Sequence, residues 1–117
     1  MLTIDQIKHY VKIGADAVPE GMFAKIPICP TAYGYIYFEY IHSSDGVIRI
    51  DICAIRNGLG EFYKTFSPPT EMDTGDTLWN DILIDVNAII EKEATKCNNL
   101  IACQRMWEAR YYGDVSV

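Results

Sequence analysis

The sequence predicts a two-layer α+β fold: an N-terminal helix, a three-stranded antiparallel meander and two C-terminal helices. Three observations support this class. Apolar residues recur at helical spacing near the N-terminus, aromatic and β-branched residues alternate between residues 33 and 66, and helical spacing returns after residue 74. The connections between the strands are too short to hold a crossover helix, which argues against a parallel nucleotide-binding sheet.

The first helix is predicted over residues 4–17. Thr3 and Gln6 have the spacing of a capping box, in which each side chain accepts a hydrogen bond from the backbone of the other residue. The expected apolar face consists of Ile4, Ile7, Val11, Ala15 and Val18. The stretch that follows contains Pro27 and Pro30, and we predict an extended edge segment or crossover, because proline cannot donate a hydrogen bond within a central strand.

The meander begins with the aromatic run Tyr33 to His42 and continues in the alternating segment Val47 to Arg56. A slip of one residue would turn the apolar side chains of one strand toward water, so the register can be predicted. A three-residue loop that ends in a left-handed Gly46 keeps the apolar faces together. The residues predicted to lie opposite each other are then Tyr40 and Ile50, Phe38 and Ile52, and Glu39 and Asp51.

The rest of the chain is predicted as a turn at Asn57 to Gly60, a third strand at Glu61 to Phe66, and two helices. Thr74 or Asp76 can cap a helix that runs to about Cys97. The expected core face of this helix consists of Leu78, Ile82, Val86, Ile89 and Ile90. The sequence predicts an interruption at Asn98 and Asn99 and a last helix that carries Leu100, Cys103, Trp107 and Tyr111 and stops at Gly113.

Length and composition indicate one packed domain over residues 1–117, since 50% of the residues are apolar and 22% are charged. The four cysteines include no C-x-x-C pair, and the first ten residues contain Asp5 and Lys8 instead of an apolar export signal. No apolar run is long enough to cross a bilayer. We therefore expect a soluble, cytoplasmic protein with reduced cysteines and no membrane partner.

No catalytic, cofactor or metal site is predicted. The chain has two histidines, His9 and His42, and the pattern places neither beside a cysteine or a serine. The cysteines lack the closely spaced pairs of a zinc site, and Asp73, Asp76 and Asp81 lack the alternating pattern of a calcium loop. A binding role is therefore favoured over an enzymatic one.

Acidic residues are concentrated in one segment. Residues 71–93 contain seven acids and one base and carry a charge of −6, which equals the net charge of the whole chain. The usual explanation of such a run is a solvated helix face. Because like charges four residues apart on a helix repel each other, we predict instead a docking surface for a basic protein partner. The residues predicted for it are Asp73, Asp76, Asp81 and Asp85.

Tyrosines form a second candidate surface. Tyr33, Tyr35 and Tyr37 are predicted on the sheet face that points away from the core. Tyrosine combines a large contact area with a hydroxyl group and is enriched at interfaces. The alternative explanation is that the last helix covers this face with Trp107 and Tyr111.

These features give three functional hypotheses. The first is a non-enzymatic inhibitor, antidote or adaptor that binds a basic protein, such as a nucleic-acid-binding protein, and competes with nucleic acid, whereas the acidic chain itself is not expected to bind nucleic acid. The second is a homodimer or larger homo-oligomeric assembly that uses the tyrosine face. The third is a small enzyme or ligand-binding domain with a pocket near His42, Asp51 and Cys53.

Overall fold

The computed structural model describes residues 1–70 and 75–113, with side chains up to residue 110. Its elements are, in chain order, α1 (Ile4–Ala17), β1 (Met22–Thr31), β2 (Gly34–His42), β3 (Ile48–Arg56), β4 (Leu59–Phe66) and α2 (Thr77–Gly113). The four strands form one antiparallel sheet in the order β1-β2-β3-β4. The α+β class is confirmed, with one strand more and one helix fewer than predicted.

Helix α1 has the predicted bounds and the predicted capping box. The amide of Gln6 donates to Thr3 Oγ1 at 3.3 Å, and the amide of Thr3 donates to Gln6 Oε1 at 2.9 Å. The buried residues of α1 are Ile7, Val11 and Gly14. Ala15 is exposed, contrary to the prediction. Gly14 faces the sheet instead. The ring of Tyr40 occupies the space that a Cβ atom at Gly14 would need.

The segment with two prolines forms a complete edge strand, so the prediction of three strands was wrong. Strand β1 pairs with β2 over its whole length, and Pro27 and Pro30 both lie within it. The sheet tolerates these prolines because β1 has no second neighbouring strand in the described part of the chain. A bulge between Pro27 and Cys29 lets both Ile26 and Ile28 point toward the helices and be buried.

The register of the central hairpin is confirmed. Strands β2 and β3 pair Tyr40 with Ile50, Phe38 with Ile52 and Glu39 with Asp51. The predicted loop also forms, since the amide of Ser43 donates to the carbonyl of Val47 at 2.9 Å and Gly46 has a φ of 84°. Only glycine adopts this backbone conformation without strain, so Gly46 fixes the loop.

A two-residue turn of Asn57 and Gly58 joins β3 to β4, which starts at Leu59 and not at Glu61 as predicted. The φ angles of Asn57 and Gly58 are 53° and 78°, which is the pattern of the tight hairpin turn that Asn-Gly favours.

A bulge at Tyr63 interrupts the alternation of side chains along β4. Phe62 pairs with Cys53, and Phe66 pairs with Ile50 on the opposite face. As a result Phe66 contacts the core, where its ring centroid lies 5.5 Å from that of Phe38, and Phe62 points away from it.

The core lies between one face of the sheet and both helices. Its fully buried members include Ile7 from α1, Ile36, Phe38 and Tyr40 from β2, Ile50 and Ile52 from β3, and Val86 from α2. The side chain of Asn87 links the two helical segments, because it accepts from the amide of Leu2 at 3.0 Å and donates to the carbonyl of Leu2 at 3.2 Å.

Helix α2 is one helix of 37 residues, so the predicted interruption was wrong. Asn98 and Asn99 are exposed within it, and asparagine costs a helix less than about 1 kcal/mol per residue, which its neighbours offset. Asp76 precedes the helix, and its carbonyl accepts from the amide of Asn80 at 2.7 Å. Thr74, the alternative cap, lies outside the described residues.

The residues of α2 that are buried are Ile82, Val86, Ile89, Glu93 and Cys97. Leu78 is exposed and Ile90 is half-buried, so the predicted core face is shifted toward the C-terminus. Within the ranges that the structure describes, no helix is both long and apolar enough to span a membrane.

Candidate functional site

The face of the sheet that points away from α1 and α2 is not covered by any other described part of the chain. We name it the open sheet face. Side chains alternate along strands, so the register determines which residues it contains. Its apolar members are Phe23, Pro27 and Pro30 on β1, Tyr35, Tyr37 and Ile41 on β2, Cys53 and Ile55 on β3, and Phe62 on β4.

The apolar residues of this face form a packed centre with exposed edges. Tyr37 and Cys53 lie opposite each other on the two central strands, and each is only 6% exposed. Phe23 and Phe62, on the two outer strands, are 66% and 59% exposed. An antiparallel sheet with one solvated face normally presents polar residues there. An aromatic patch of this extent is instead typical of an interaction surface.

The centre of the open sheet face is uncharged at neutral pH. Burial, together with the neighbouring thiol of Cys53, raises the pKa of Tyr37 to about 12. Burial also raises the pKa of the Cys53 thiol. Because the thiolate is the nucleophilic form of cysteine, these surroundings do not favour a catalytic role for Cys53.

Charged residues on the open sheet face balance one another. Lys25 lies opposite Glu39, and Glu39 lies opposite Asp51. Arg49 Nε lies 3.2 Å from Asp51 Oδ1, although the two groups are not aligned for a hydrogen bond. Two bases and two acids therefore give this face no net charge, whereas the whole chain carries −6.

Tyr33 is not part of this surface. It lies in the two-residue turn between β1 and β2, and its hydroxyl donates to Gln104 Oε1 of α2 at 3.3 Å. The structure therefore brings Tyr35 and Tyr37 together, with ring centroids 5.7 Å apart, and places Tyr33 on the helix side. Trp107 belongs to α2 and does not cover the open sheet face, and the side chain of Tyr111 lies outside the described residues.

The docking surface predicted at Asp73, Asp76, Asp81 and Asp85, which we name the acidic surface, is partly neutralised within the molecule. Lys64 Nζ lies 2.7 Å from Asp85 Oδ2, and Lys8 Nζ lies 3.0 Å from Asp76 Oδ1. Asp76 and Asp85 therefore each have a lysine counter-charge within the molecule. Asp81 is exposed, and Asp73 lies outside the described residues. Docking of a basic partner at this surface stays a prediction.

A buried carboxylate joins α2 to the sheet. Glu93 is fully buried, and Arg56 Nη1 donates to its two carboxylate oxygens at 2.8 and 2.9 Å. The hydroxyl of Tyr63 donates to Glu93 Oε1 at 2.6 Å, while Glu61 accepts from both Arg56 and Lys96. We name these five residues the Glu93 network. Sequence reasoning counted Glu93 in the acidic segment of residues 71–93, although its position four residues after Ile89 on the core face was a signal of burial.

Acidification tests the Glu93 network. The hydrogen bond from Lys96, followed by that from Arg56, holds the pKa of Glu61 below its ordinary value of 4.5. Because the pKa of Glu61 is lower in the folded state than in the unfolded state, ionised Glu61 stabilises the fold above pH 4.5. This stabilisation is lost as the pH falls through the folded-state pKa. We expect urea unfolding of Glu61→Gln to depend less on pH than that of the wild type between about pH 5 and pH 3.

The matched control for this experiment is Glu91→Gln, because Glu91 is an exposed carboxylate of α2. This variant should retain the pH dependence of the wild type. Equal slopes for the wild type and Glu61→Gln would contradict the expectation.

His42, Asp51 and Cys53, the residues predicted to lie near a pocket, do not lie on the same face of the sheet. His42 lies on the helix side, where its Nδ1 is 3.0 Å from the carbonyl oxygen of Val18, whereas Asp51 and Cys53 belong to the open sheet face. His9 is exposed on α1. Among the described residues, no group of three or more histidine, cysteine, aspartate or glutamate side chains could hold a metal ion.

Comparisons of the chain with known protein families, with curated proteins and with solved structures found no match. The geometry of the open sheet face is therefore the basis for a functional proposal.

Proposed function

We propose that this chain is a non-enzymatic subunit of a homo-oligomer and that its open sheet face binds the same face of a second copy. The observation that carries this proposal is the position of the aromatic residues. Both helices cover one face of the sheet, and the other face presents Tyr35, Phe23 and Phe62 to the surroundings. Large aromatic side chains supply most of the binding energy in many interfaces.

Charge supports a second copy as the occupant of this face. A chain with a net charge of −6 repels its own copies, and this charge is carried by residues 71–93. The open sheet face does not contribute to this repulsion, because Lys25 and Arg49 balance Glu39 and Asp51. In a two-fold interface each residue set meets its own copy, so a charge-balanced face can pair without net repulsion.

The size of the face supports the same conclusion. With four strands of about 4.8 Å spacing and nine-residue strands β2 and β3 at about 3.3 Å per residue, the face measures about 19 by 30 Å. This is a flat area of about 570 Å², and the relief of the side chains raises the accessible area toward the ~800 Å² that each partner contributes to a standard interface. The face is therefore large enough for a specific dimer.

The acidic surface of α2 has less support as the main interface. The carboxylates of Asp76 and Asp85 already have lysine partners, whereas the aromatic residues at the edges of the open sheet face are exposed. Binding of a basic protein through Asp81 remains the second candidate function. Charge reversal by Asp81→Lys should then weaken capture of that partner and reduce its dependence on salt.

The experiment that tests the main proposal compares two double variants by sedimentation over a range of protein concentrations. Phe23→Glu/Phe62→Glu places two carboxylates of each copy in the proposed interface. We expect its dissociation constant for the sheet-face contact to rise by more than about 30-fold, because hot-spot side chains contribute 2 kcal/mol or more each.

The control is Met22→Glu/Leu59→Glu. Met22 and Leu59 are exposed on the same two strands, next to or near the tested positions, and they pair with residues of the helix side. This control should associate like the wild type. A monomeric wild type at all concentrations, or equal effects of the two double variants, would show that the proposed interface is wrong.

A further inference from the structure

Helix α2 extends well beyond the sheet. Its 37 residues span about 55 Å at 1.5 Å per residue, whereas the ten residues of β1, the longest strand, span about 33 Å. The last buried residue of α2 is Cys97, within the side chains that the structure describes. We name residues 98–113 the arm. The longest dimension of the molecule, 68 Å, reflects this extension.

The apolar face of α2 continues along the arm. Ile89, Glu93 and Cys97 face the sheet, and Leu100, Cys103 and Trp107 follow at spacings of three and four residues along the adjoining side of the same helix. Near the end of the arm, Trp107 is 57% exposed and Met106 is 72% exposed. Together with Cys103 and Arg110 they border a groove of about 440 Å³. The arm therefore presents an apolar stripe with the spacing of a two-helix seam.

We infer that the arms of two copies pair in antiparallel orientation, as a second contact that is independent of the open sheet face. The stripe has a small residue, Cys103, between two large ones, Leu100 and Trp107. In an antiparallel pair centred near Cys103, Trp107 of each copy packs over Leu100 of the other copy. The two Cys103 side chains then lie close to the two-fold axis, where their small size leaves room for the indole rings.

Electrostatics leaves little repulsion between two arms and favours the antiparallel orientation. Residues 94–117 carry a charge of +1, whereas residues 71–93 carry −6. Asp85 lies 18 residues before Cys103, which is about 27 Å along the helix. Antiparallel pairing sends the two acidic segments to opposite ends and places the two Asp85 residues about 54 Å apart, far beyond the Debye length of about 8 Å at physiological salt. Parallel pairing would place them side by side.

The test uses Leu100→Glu/Trp107→Glu and its control Ala102→Glu/Ala109→Glu. The two control positions have the same spacing and are exposed on the opposite side of the arm. Each pair is made in the wild type and in Phe23→Glu/Phe62→Glu, and association is followed by sedimentation. In the sheet-face variant we expect a remaining dimer, whose dissociation constant rises more than about 30-fold with Leu100→Glu/Trp107→Glu and stays unchanged with the control.

Cross-linking gives a second readout on the same proteins. A short bismaleimide should join two copies of Phe23→Glu/Phe62→Glu through the exposed Cys103, and Cys103→Ser in that background should abolish the product. If the variant that also carries Cys103→Ser still forms a cross-linked dimer, the proposed two-fold axis near Cys103 is wrong.

The two proposals fail in different ways. If Phe23→Glu/Phe62→Glu is already monomeric, the arm contact is wrong and the sheet-face contact stands. If Leu100→Glu/Trp107→Glu alone makes the chain monomeric, the arm contact stands and the sheet-face contact is wrong. If monomers appear only when both pairs of substitutions are combined, both contacts are supported.

Discussion

Replacing Arg56 by methionine is expected to lower the free energy of unfolding by about 3–5 kcal/mol, the usual cost of leaving a buried charge without its partner. Glu93 is fully buried, and Arg56 donates to both of its carboxylate oxygens. Methionine fills a similar volume but cannot donate. The measurement is urea unfolding followed by circular dichroism at one fixed protein concentration, because association also stabilises the folded state.

Two further variants make this result interpretable. Arg49 also contacts a carboxylate, that of Asp51, but its side chain is 55% exposed, so Arg49→Met should cost at most about 1 kcal/mol. In Arg56→Met/Glu93→Leu the buried charge itself is gone, and most of the lost stability should return. Equal losses for Arg56→Met and Arg49→Met would mean that the Glu93 network does not hold α2 on the sheet.

Gly34→Ala is expected to destabilise the fold by about 2–3 kcal/mol, the upper part of the range of about 1–3 kcal/mol observed when a packed site must admit an extra carbon. A Cβ atom at Gly34 would overlap with the carbonyl oxygen of Ile55 on the neighbouring strand. That oxygen belongs to the backbone and cannot rotate away, so β2 and β3 would have to separate locally. Urea unfolding gives the loss directly.

Gly60→Ala is the matched control for this substitution. Gly60 pairs with Ile55 from the other side, and a Cβ atom there would meet no atom within 4 Å. Its effect should stay within about 0.5 kcal/mol, as for most surface substitutions. If Gly34→Ala and Gly60→Ala unfold at the same urea concentration, the overlap of a Cβ atom at Gly34 with Ile55 does not destabilise the fold.

Local signals predicted the elements whose determinants lie close together in the chain. The capping box of Thr3 and Gln6 and the alternation around Gly46 gave α1 and the β2–β3 register correctly. The number of strands depended on a non-local fact. Pro27 and Pro30 exclude a central strand but not an edge strand, and the position of β1 in the sheet cannot be read from its own sequence.

The continuity of α2 was missed for a related reason. Asn98 and Asn99 lower helix propensity only slightly, and a difference of this size does not decide between one helix and two. The buried residues on the N-terminal side of Asn98 anchor the helix to the sheet, and this packing was not visible in the local sequence.

The candidate site was predicted in part. Alternation along β2 placed Tyr35 and Tyr37 on the open sheet face. The position of Tyr33 depended instead on where β1 ends and the turn begins. The ion pair of Lys64 with Asp85 joins residues 21 positions apart, so sequence spacing within α2 could not show that Asp85 has a counter-charge. Charge counted along the chain therefore overstated the acidity of the folded surface.

The prolines of β1 also determine how copies of this chain cannot assemble. A regular edge strand offers its free amide and carbonyl groups as a template for a strand of another molecule, which is the first step toward fibrous aggregates. Pro27 and Pro30 lack the amide hydrogen that such pairing requires, and the bulge between Pro27 and Cys29 interrupts the spacing of the remaining groups. The sheet therefore resists sideways extension at this edge, even at high local concentration.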